Sequence, residues 1–510
     1  MLLSLPIERV PMFHVKHSLR RLLLLSLVVL ISGCVATEVN PVSGNKRAVG
    51  YTWEQELELG KQADQQIIAQ YGLYDNEALA AYVTRIGEEV LAQSDLRKPG
   101  LDPKFRIPFT FRVLDSPVVN AFALPGGYVY VTRGLLAHLE NEAQLAMVLG
   151  HEIGHVAARH ASQRAATQQL AQLGLIGGAI AGQVFLGGNA AENILGLGGQ
   201  AAQLLFLSYS RDNERESDRL GVAYAAKAGY AAGEGAAFFE SLKRLSAQHG
   251  QSIPSWQSTH PDPGEREVTI QRLAAEWAQR PDIAMTQVNA EPYLRQIDGI
   301  VLGENPRQGL VRDGVFYHPD LKFRFPVPAG WNVSNQPQQV VMAEPNGQAY
   351  MVLTLAQEPS ADAAASAFAA QQGLTNVERS AARPHGLPAQ VVSASAQLQN
   401  GQAVRLLNYF IDYDRHVYSI LGLTTVDGYP THRGTFLRTM DGFAPLTDPA
   451  ILAIQPTRLR VVPADRTAAF RTFVPARLPE GFSAEDLAIL NQVRLDEPIE
   501  QGTLLKLPAD

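Results

Sequence analysis

The sequence predicts a multidomain chain: a mainly α domain with a small β-sheet, then an antiparallel α+β domain, then a small α/β module. Three observations predict it. Apolar residues recur at helical spacing through most of 53–278, interrupted by short strand candidates at 109–114 and 128–132. Residues 316–446 instead alternate several strand candidates around one helix. Between them, at 299–312, the pattern is lost. The 510 residues, 46% hydrophobic and 18% charged, suffice for two to four domains. The net charge of −7 lacks the basic surplus that nucleic-acid binding needs.

Taken in order, residues 1–33 read as a targeting segment. Lys16, His17, Arg20 and Arg21 precede the apolar run Leu22 to Ile31, which is too short for a comfortable membrane span. Ile31-Ser32-Gly33-Cys34 resembles a bacterial lipobox, which implies cleavage before Cys34 and a diacylglyceryl group on its sulfur. Cys34 is the one cysteine in the sequence, so no internal disulfide can form. Met12 is an alternative start. Val35 in place of Asp favours, by the same resemblance, sorting to the outer membrane. Residues 34–50, with Pro41, Ser43 and Gly44, read as a tether.

Residues 51–298 form the first predicted domain. From Trp53 to Ala92 an amphipathic helical pattern carries Leu57, Ile67, Ile68, Leu79, Val83, Ile86 and Val90 as its buried stripe. Next comes the stretch 141–160, which holds His151, Glu152 and His155 as HExxH. Leu145, Val148, Ile153 and Val156 recur at helical spacing without proline. Residues i and i+4 share a face, so the two imidazoles can close on one metal. Glu152, one step round, reaches the remaining coordination position, where it acts on a zinc-bound water. A catalytic zinc keeps three protein ligands and one open position, and SRDNERESDRLG offers the third. Ser210 as N-cap and Gly229 as C′ predict a helix from Arg211 to Ala228. On it Glu214 can complete the ligand set, while Asp218, four residues on, can accept the distal N–H of a ligand histidine, in first place His151. The plain alternatives are a half-buried helix with incidental histidines and a solvated charged helix start.

Around these lie three accessory candidates. A peptide substrate commonly adds to an exposed sheet edge, and Pro125 suits only an edge or irregular position. Phe122, Ala123 and Leu124 are therefore the substrate-strand candidates, an ordinary hairpin being the alternative. The Gly- and Ala-rich apolar stretch 170–207 reads as a helical hairpin over the cleft, with a membrane span as its rival. The loop 250–264 presents His260, narrowed in backbone choice by Pro261. His260 is a candidate fourth zinc ligand or a candidate oxyanion stabiliser, with a solvated loop histidine as the alternative. Helices at 232–245 and 265–278 close the domain.

HEIGHVAARH with Glu214-x-x-x-Asp218 resembles the HtpX and CAAX-prenyl-endopeptidase gluzincins (peptidase family M48, with the Ste-twenty-four and Oma-like proteins), particularly periplasmic BepA-like lipoproteins. The resemblance covers roughly 41–273 and includes NAFALPGGYVYVTRGLL from Asn120 and STHPDPGER from Ser258. It implies His151, His155 and Glu214 as ligands of one Zn2+ and Glu152 as general base. Ser217 stands where the family commonly has Ala.

After a linker at 299–312, residues 313–447 form the α+β domain. Its opening, HPDLKFRFPVPAGW, resembles PsbP-like domains. Residues 455–510 resemble a degenerate LysM module in LRVVPADRTAAF, LAILNQV and GTLLKLP, with Ala464-Asp465 replacing the usual Gly-Asp turn. The function expected is that of a lipid-anchored zinc endopeptidase of the bacterial periplasm, acting on unfolded or misassembled envelope proteins. Outer-membrane assembly machinery and, through the last module, peptidoglycan are candidate partners. Two rivals are an envelope assembly or quality-control binding factor with a silent metal site, motivated by 299–510, and a peptidoglycan-associated hydrolase.

Overall fold

A computed structural model describes residues 36–175, 209–249, 260, 263–398, 401–479 and 481–509. The targeting segment with Cys34, most of the apolar stretch 170–207 and most of the loop 250–264 lie outside them. Among the described residues, no helix is long and apolar enough to cross a membrane.

Strands β1 (Ala36–Val39) and β2 (Lys46–Val49) form an antiparallel hairpin. Helices α1 (Trp53–Tyr71) and α2 (Glu77–Ala92) follow, started by Thr52 in a capping box with Gln55 and by Asn76 accepting from the Leu79 N–H. A three-stranded sheet comes next: β3 (Thr110–Leu114) runs parallel to β5 (Tyr128–Thr132), and β4 (Ala121–Leu124) pairs antiparallel to β5 at the edge. Short α3 (Arg133–His138) leads into α4 (Glu142–Ala157), capped by Asn141. Every residue of α4 is buried. A helix enclosed all round is a central helix, and α4 carries HExxH.

Helix α5 (His160–Leu175) follows a single left-handed residue, Arg159, at φ 57°. Then come α6 (Arg211–Lys227), α7 (Gly235–His249), α8 (Pro263–Ala278) and α9 (Ala290–Ile297). Ser210 caps α6 as expected, in a reciprocal pair with Asn213, and Gly229 follows its end at φ 91°. Helix α6 lies directly on α4. The contact is backbone to backbone: a Cβ on Gly150 would sit 2.9 Å from the Gly221 carbonyl oxygen, and one on Gly221 would sit 2.8 Å from the His151 nitrogen. This approach carries Glu214 to the histidines.

The hairpin β1–β2 straps the end of α4. Asn40 donates to the Ala158 carbonyl at 2.8 Å, and the buried Arg159 guanidinium reaches Glu38 at 2.5 Å, Glu56 at 2.8 Å and the Tyr51 carbonyl at 2.6 Å. Arg159 also lies over the Trp53 ring.

Strands β6 (Leu310–Arg312), β7 (Val315–His318) and β8 (Phe323–Pro326) begin the second region. They are followed by β9 (Asn332–Gln336), β10 (Gln339–Ala343), β11 (Ala349–Ala356), helix α10 (Ala361–Ala369) and β12 (Thr375–Ala382). Strands β13 (Ala389–Gln397), β14 (Ala403–Tyr413) and β15 (His416–Thr425), helix α11 (Tyr429–Asp441) and β16 (Ala444–Pro445) complete it. They build an antiparallel seven-stranded sheet, β12-β13-β14-β15-β11-β10-β9, and a four-stranded one, β16-β8-β7-β6. Phe316, Phe323, Phe325, Tyr418 and Phe443 stack at its core. Reading the sequence missed β12 because all but one of its residues are exposed, leaving no apolar alternation to read.

Past the short α12 (Pro449–Leu452), β17 (Arg458–Pro463) pairs antiparallel with β20 (Leu504–Ala509), and β18 (Ala468–Ala469) with β19 (Pro498–Ile499), around α13 (Ala484–Leu490). This segment shares one buried cluster with the first helices: Leu459, Phe470, Leu487, Leu490 and Leu505 belong with Leu136, Leu145 and Phe238. The expected linker is part of the same packing, since the Gly299 N–H donates to the Leu459 carbonyl at 2.7 Å and Leu302 to Thr457 at 2.9 Å.

Candidate metal centre

His151 and His155, one turn apart on α4, face Glu214 on the first turn of α6, and the described residue His260, which precedes α8 in the chain, lies beside them. One ligand atom from each lies within 4.8 Å of all the others, and all four residues are buried. The two Nε2 atoms are 2.9 Å apart, each is 3.5 Å from a Glu214 oxygen, and His260 Nδ1 is 3.3 Å from His151 Nε2 and 3.1 Å from both Glu214 oxygens. Tetrahedral zinc ligands about 2.0–2.2 Å from one centre stand about 3.3–3.6 Å from one another. The His151–Glu214, His155–Glu214 and His151–His260 separations meet this, while the two Nε2 atoms at 2.9 Å and the His260–Glu214 pair at 3.1 Å would part by a few tenths of an ångström around one such ion.

Glu152 is buried beside the cluster. Neither of its carboxylate oxygens accepts a hydrogen bond among the described residues, and the nearest ionic neighbour is His260 Nε2 at 3.5 Å. Burial pushes its carboxyl up, with Glu214 adding to the effect against His260 and His151. Glu214 goes the other way. Burial would raise it, but His260, His151 and Arg266 together hold it well below the carboxylate range.

Asp218 Oδ1 lies 3.0 Å from His151 Nδ1, leaving Nε2 to face the cluster. Arg266 backs this carboxylate with Nη2 at 2.6 Å and Nε at 3.0 Å, and its Nη1 is 3.2 Å from Glu214. Its guanidinium rests on the Phe239 ring. Burial opposes ionisation of Asp218, but Arg266 and His151 keep its carboxyl low. Sequence reasoning quoted Arg266 within STHPDPGER without giving it a role; that motif was the available signal.

Two other residues were missed. Tyr209 stacks on His155, ring centroids 4.0 Å apart. His160 places Nδ1 3.0 Å from His155 Nδ1 and Nε2 3.1 Å from Glu216. Glu216, on the charged first turns of α6, is not solvated as a charged helix start would be. Here Arg47 grips it at 2.8 and 2.9 Å, and against its burial His160 and Arg47 hold its carboxyl at about 2. Of the expected strand, Phe122 and Ala123 are half-buried and Leu124 is buried, on the outermost strand of its sheet.

The model of Peptidase family M48 matches residues 77–274, the stretch that holds all four cluster residues. This segment is similar to the peptidases of family M48. The resemblance read from HExxH and Glu214 is thereby confirmed, and zinc is the metal of this family. Over 221 residues the chain is 32% identical to the putative beta-barrel assembly-enhancing protease of Vibrio cholerae, covering 42% of this chain and 43% of that protein. Over 256 residues it is 28% identical to human mitochondrial metalloendopeptidase OMA1, 46% of this chain and 45% of that one. The beta-barrel assembly-enhancing protease of Escherichia coli K12 is 27% identical over 223 residues, 42% of either chain. The match thus spans less than half the length of each of these relatives.

Proposed function

We propose that this chain is a zinc-dependent endopeptidase of the bacterial cell envelope that cleaves unfolded or misassembled envelope proteins. The observation that carries the reading is the buried His151–His155–Glu214 donor set with the carboxylate of Glu152 beside it, which accepts no hydrogen bond among the described residues. A buried carboxylate without donors is costly to keep, and a general base needs that freedom. Zinc bound there supplies Lewis acidity, polarising the scissile carbonyl and bringing the pKa of water towards ~7.

The residues of the chain do the rest. Glu152 takes the proton of the attacking water as oxygen bonds to the carbonyl carbon, then delivers it to the amide nitrogen as the C–N bond breaks. Its raised carboxyl suits both halves of that transfer. Asp218, held by Arg266, orients His151. An extended peptide adds along the outer edge of β4 at Phe122 to Leu124, the edge strand that packs against α4. His260, with Nδ1 among the donors, serves as a fourth ligand in a resting state or as a donor to the oxyanion. Cys34 carries the lipid that holds the domain at the outer membrane from the periplasmic side; the expected tether is not one over 36–49, which form the hairpin packed on α4. Relatives named as beta-barrel assembly-enhancing proteases support a link to outer-membrane assembly.

Chelator-sensitive hydrolysis of casein by the purified full chain tests the reading. Glu152→Gln keeps zinc by metal analysis and loses hydrolysis; a variant that still cleaves casein at the parental rate rejects Glu152 as the base.

A further inference from the structure

The two ligand histidines are backed differently. His151 meets Asp218 directly, and Asp218 meets Arg266. Among the described residues, His155 meets no carboxylate through Nδ1. Its Nδ1 faces another imidazole, that of His160, 3.0 Å away and wholly buried. With Nε2 of His155 turned to the donor cluster, its single proton sits on Nδ1, and the His160 Nδ1 opposite has to be the unprotonated acceptor. His160 then carries its own proton on Nε2, which lies 3.1 Å from Glu216 Oε2, and Glu216 is gripped by both Nη atoms of Arg47.

We infer that His160 is a positioning residue for the metal site: a neutral imidazole relay that passes the orienting role of Glu216 and Arg47 to the ligand His155. Both backing carboxylates, Glu216 and Asp218, lie on α6, two residues apart, and each is held by an arginine from another element. Arg47 belongs to β2, so the amino-terminal hairpin is tied to a ligand ring. The turn makes it possible. In one continuous helix residues 155 and 160 would lie about 140° apart around the axis, whereas the left-handed Arg159 folds His160 back onto His155.

This inference rests on His155 being a zinc ligand, and its test separates the two. The zinc dissociation constant of the full chain is measured by competition with a chromophoric chelator. His160→Phe keeps the shape but leaves the His155 Nδ1–H without an acceptor, and should weaken zinc 10–100-fold, the usual cost of losing such a partner. His160→Gln, whose Oε1 accepts from His155 and whose amide donates to Glu216, should restore affinity to within a few-fold. Long-range nitrogen NMR on the zinc-loaded parent, labelled at histidine, needs no variant and should find the His160 proton on Nε2. Parental zinc affinity in His160→Phe, or a His160 proton on Nδ1, overturns the relay while leaving the ligand set standing. A parent chain that takes up no zinc overturns both.

Discussion

Gly150 and Gly221 touch through their backbones, and this contact sets the distance between the helix of the histidines and the helix of Glu214. In an exposed helix interior, Gly→Ala stabilises by about 1 kcal/mol. Here the added methyl meets a carbonyl oxygen or a backbone nitrogen inside 3 Å, atoms that cannot turn aside as a side chain could. Gly221→Ala should therefore destabilise, by about 1–3 kcal/mol, and weaken zinc as α6 is pushed from α4. Urea unfolding and zinc competition on the same sample check it; a stabilised variant would show that the helices part freely.

Lys506 is wholly buried and donates to the Ala137 and Leu139 carbonyls, each at 2.9 Å, with Glu140 at 2.7 Å. Ala137 closes α3, and Leu139 and Glu140 lie on the loop that leads from it into α4. Breaking a buried charge pair from one side costs about 3–5 kcal/mol, and Glu140 is partly exposed, so Lys506→Met should cost near the lower figure. A urea midpoint unchanged from the parent would refute a clamp at this loop.

Burial pushes His138 down to about 4, while its Nδ1 faces the Gly134 carbonyl at 2.8 Å. A folded-state value below the unfolded ~6.5 means the neutral ring is the stabilising form. Its contribution is whole above pH 6.5 and is lost as pH falls from there to about 4. His318, also lowered to about 4 by burial, has the same sign. His138→Gln should therefore flatten only part of the loss of stability between pH 6.5 and 4, read from denaturant midpoints at stepped pH. An unaltered slope would exclude His138 as a contributor.

His260→Ala separates its two proposed roles by sign. A fourth ligand that excludes water predicts faster basal casein hydrolysis in the variant. An oxyanion donor predicts a fall in kcat of about 10²-fold or more. The 3.1 Å approach of Nδ1 to Glu214 favours the first. Unchanged kinetics would remove both.

Much of the centre was legible because its signals are local. HExxH spacing, the Ser210 cap, Gly229 and the pair Glu214 and Asp218 each depend on neighbours within about one helical turn, where period and cap chemistry fix geometry. The same holds for β5, β11 and β15, whose apolar content announces them. Exposed β12 and the polar helix α11 carry no such pattern, and only pairing and packing with neighbours reveal them.

What the sequence by itself determined is which side chains share one face of each helix, because backbone periodicity settles that without any partner. Tertiary structure decided how those faces meet: the Gly150–Gly221 contact that joins two helices, the turn at Arg159 that returns His160 to His155, the approach of His260 and Arg266, and the packing of 458–509 into the core of the first helices. Each of these joins residues through closed loops rather than along one element, and loop closure costs entropy that only the whole packed core offsets.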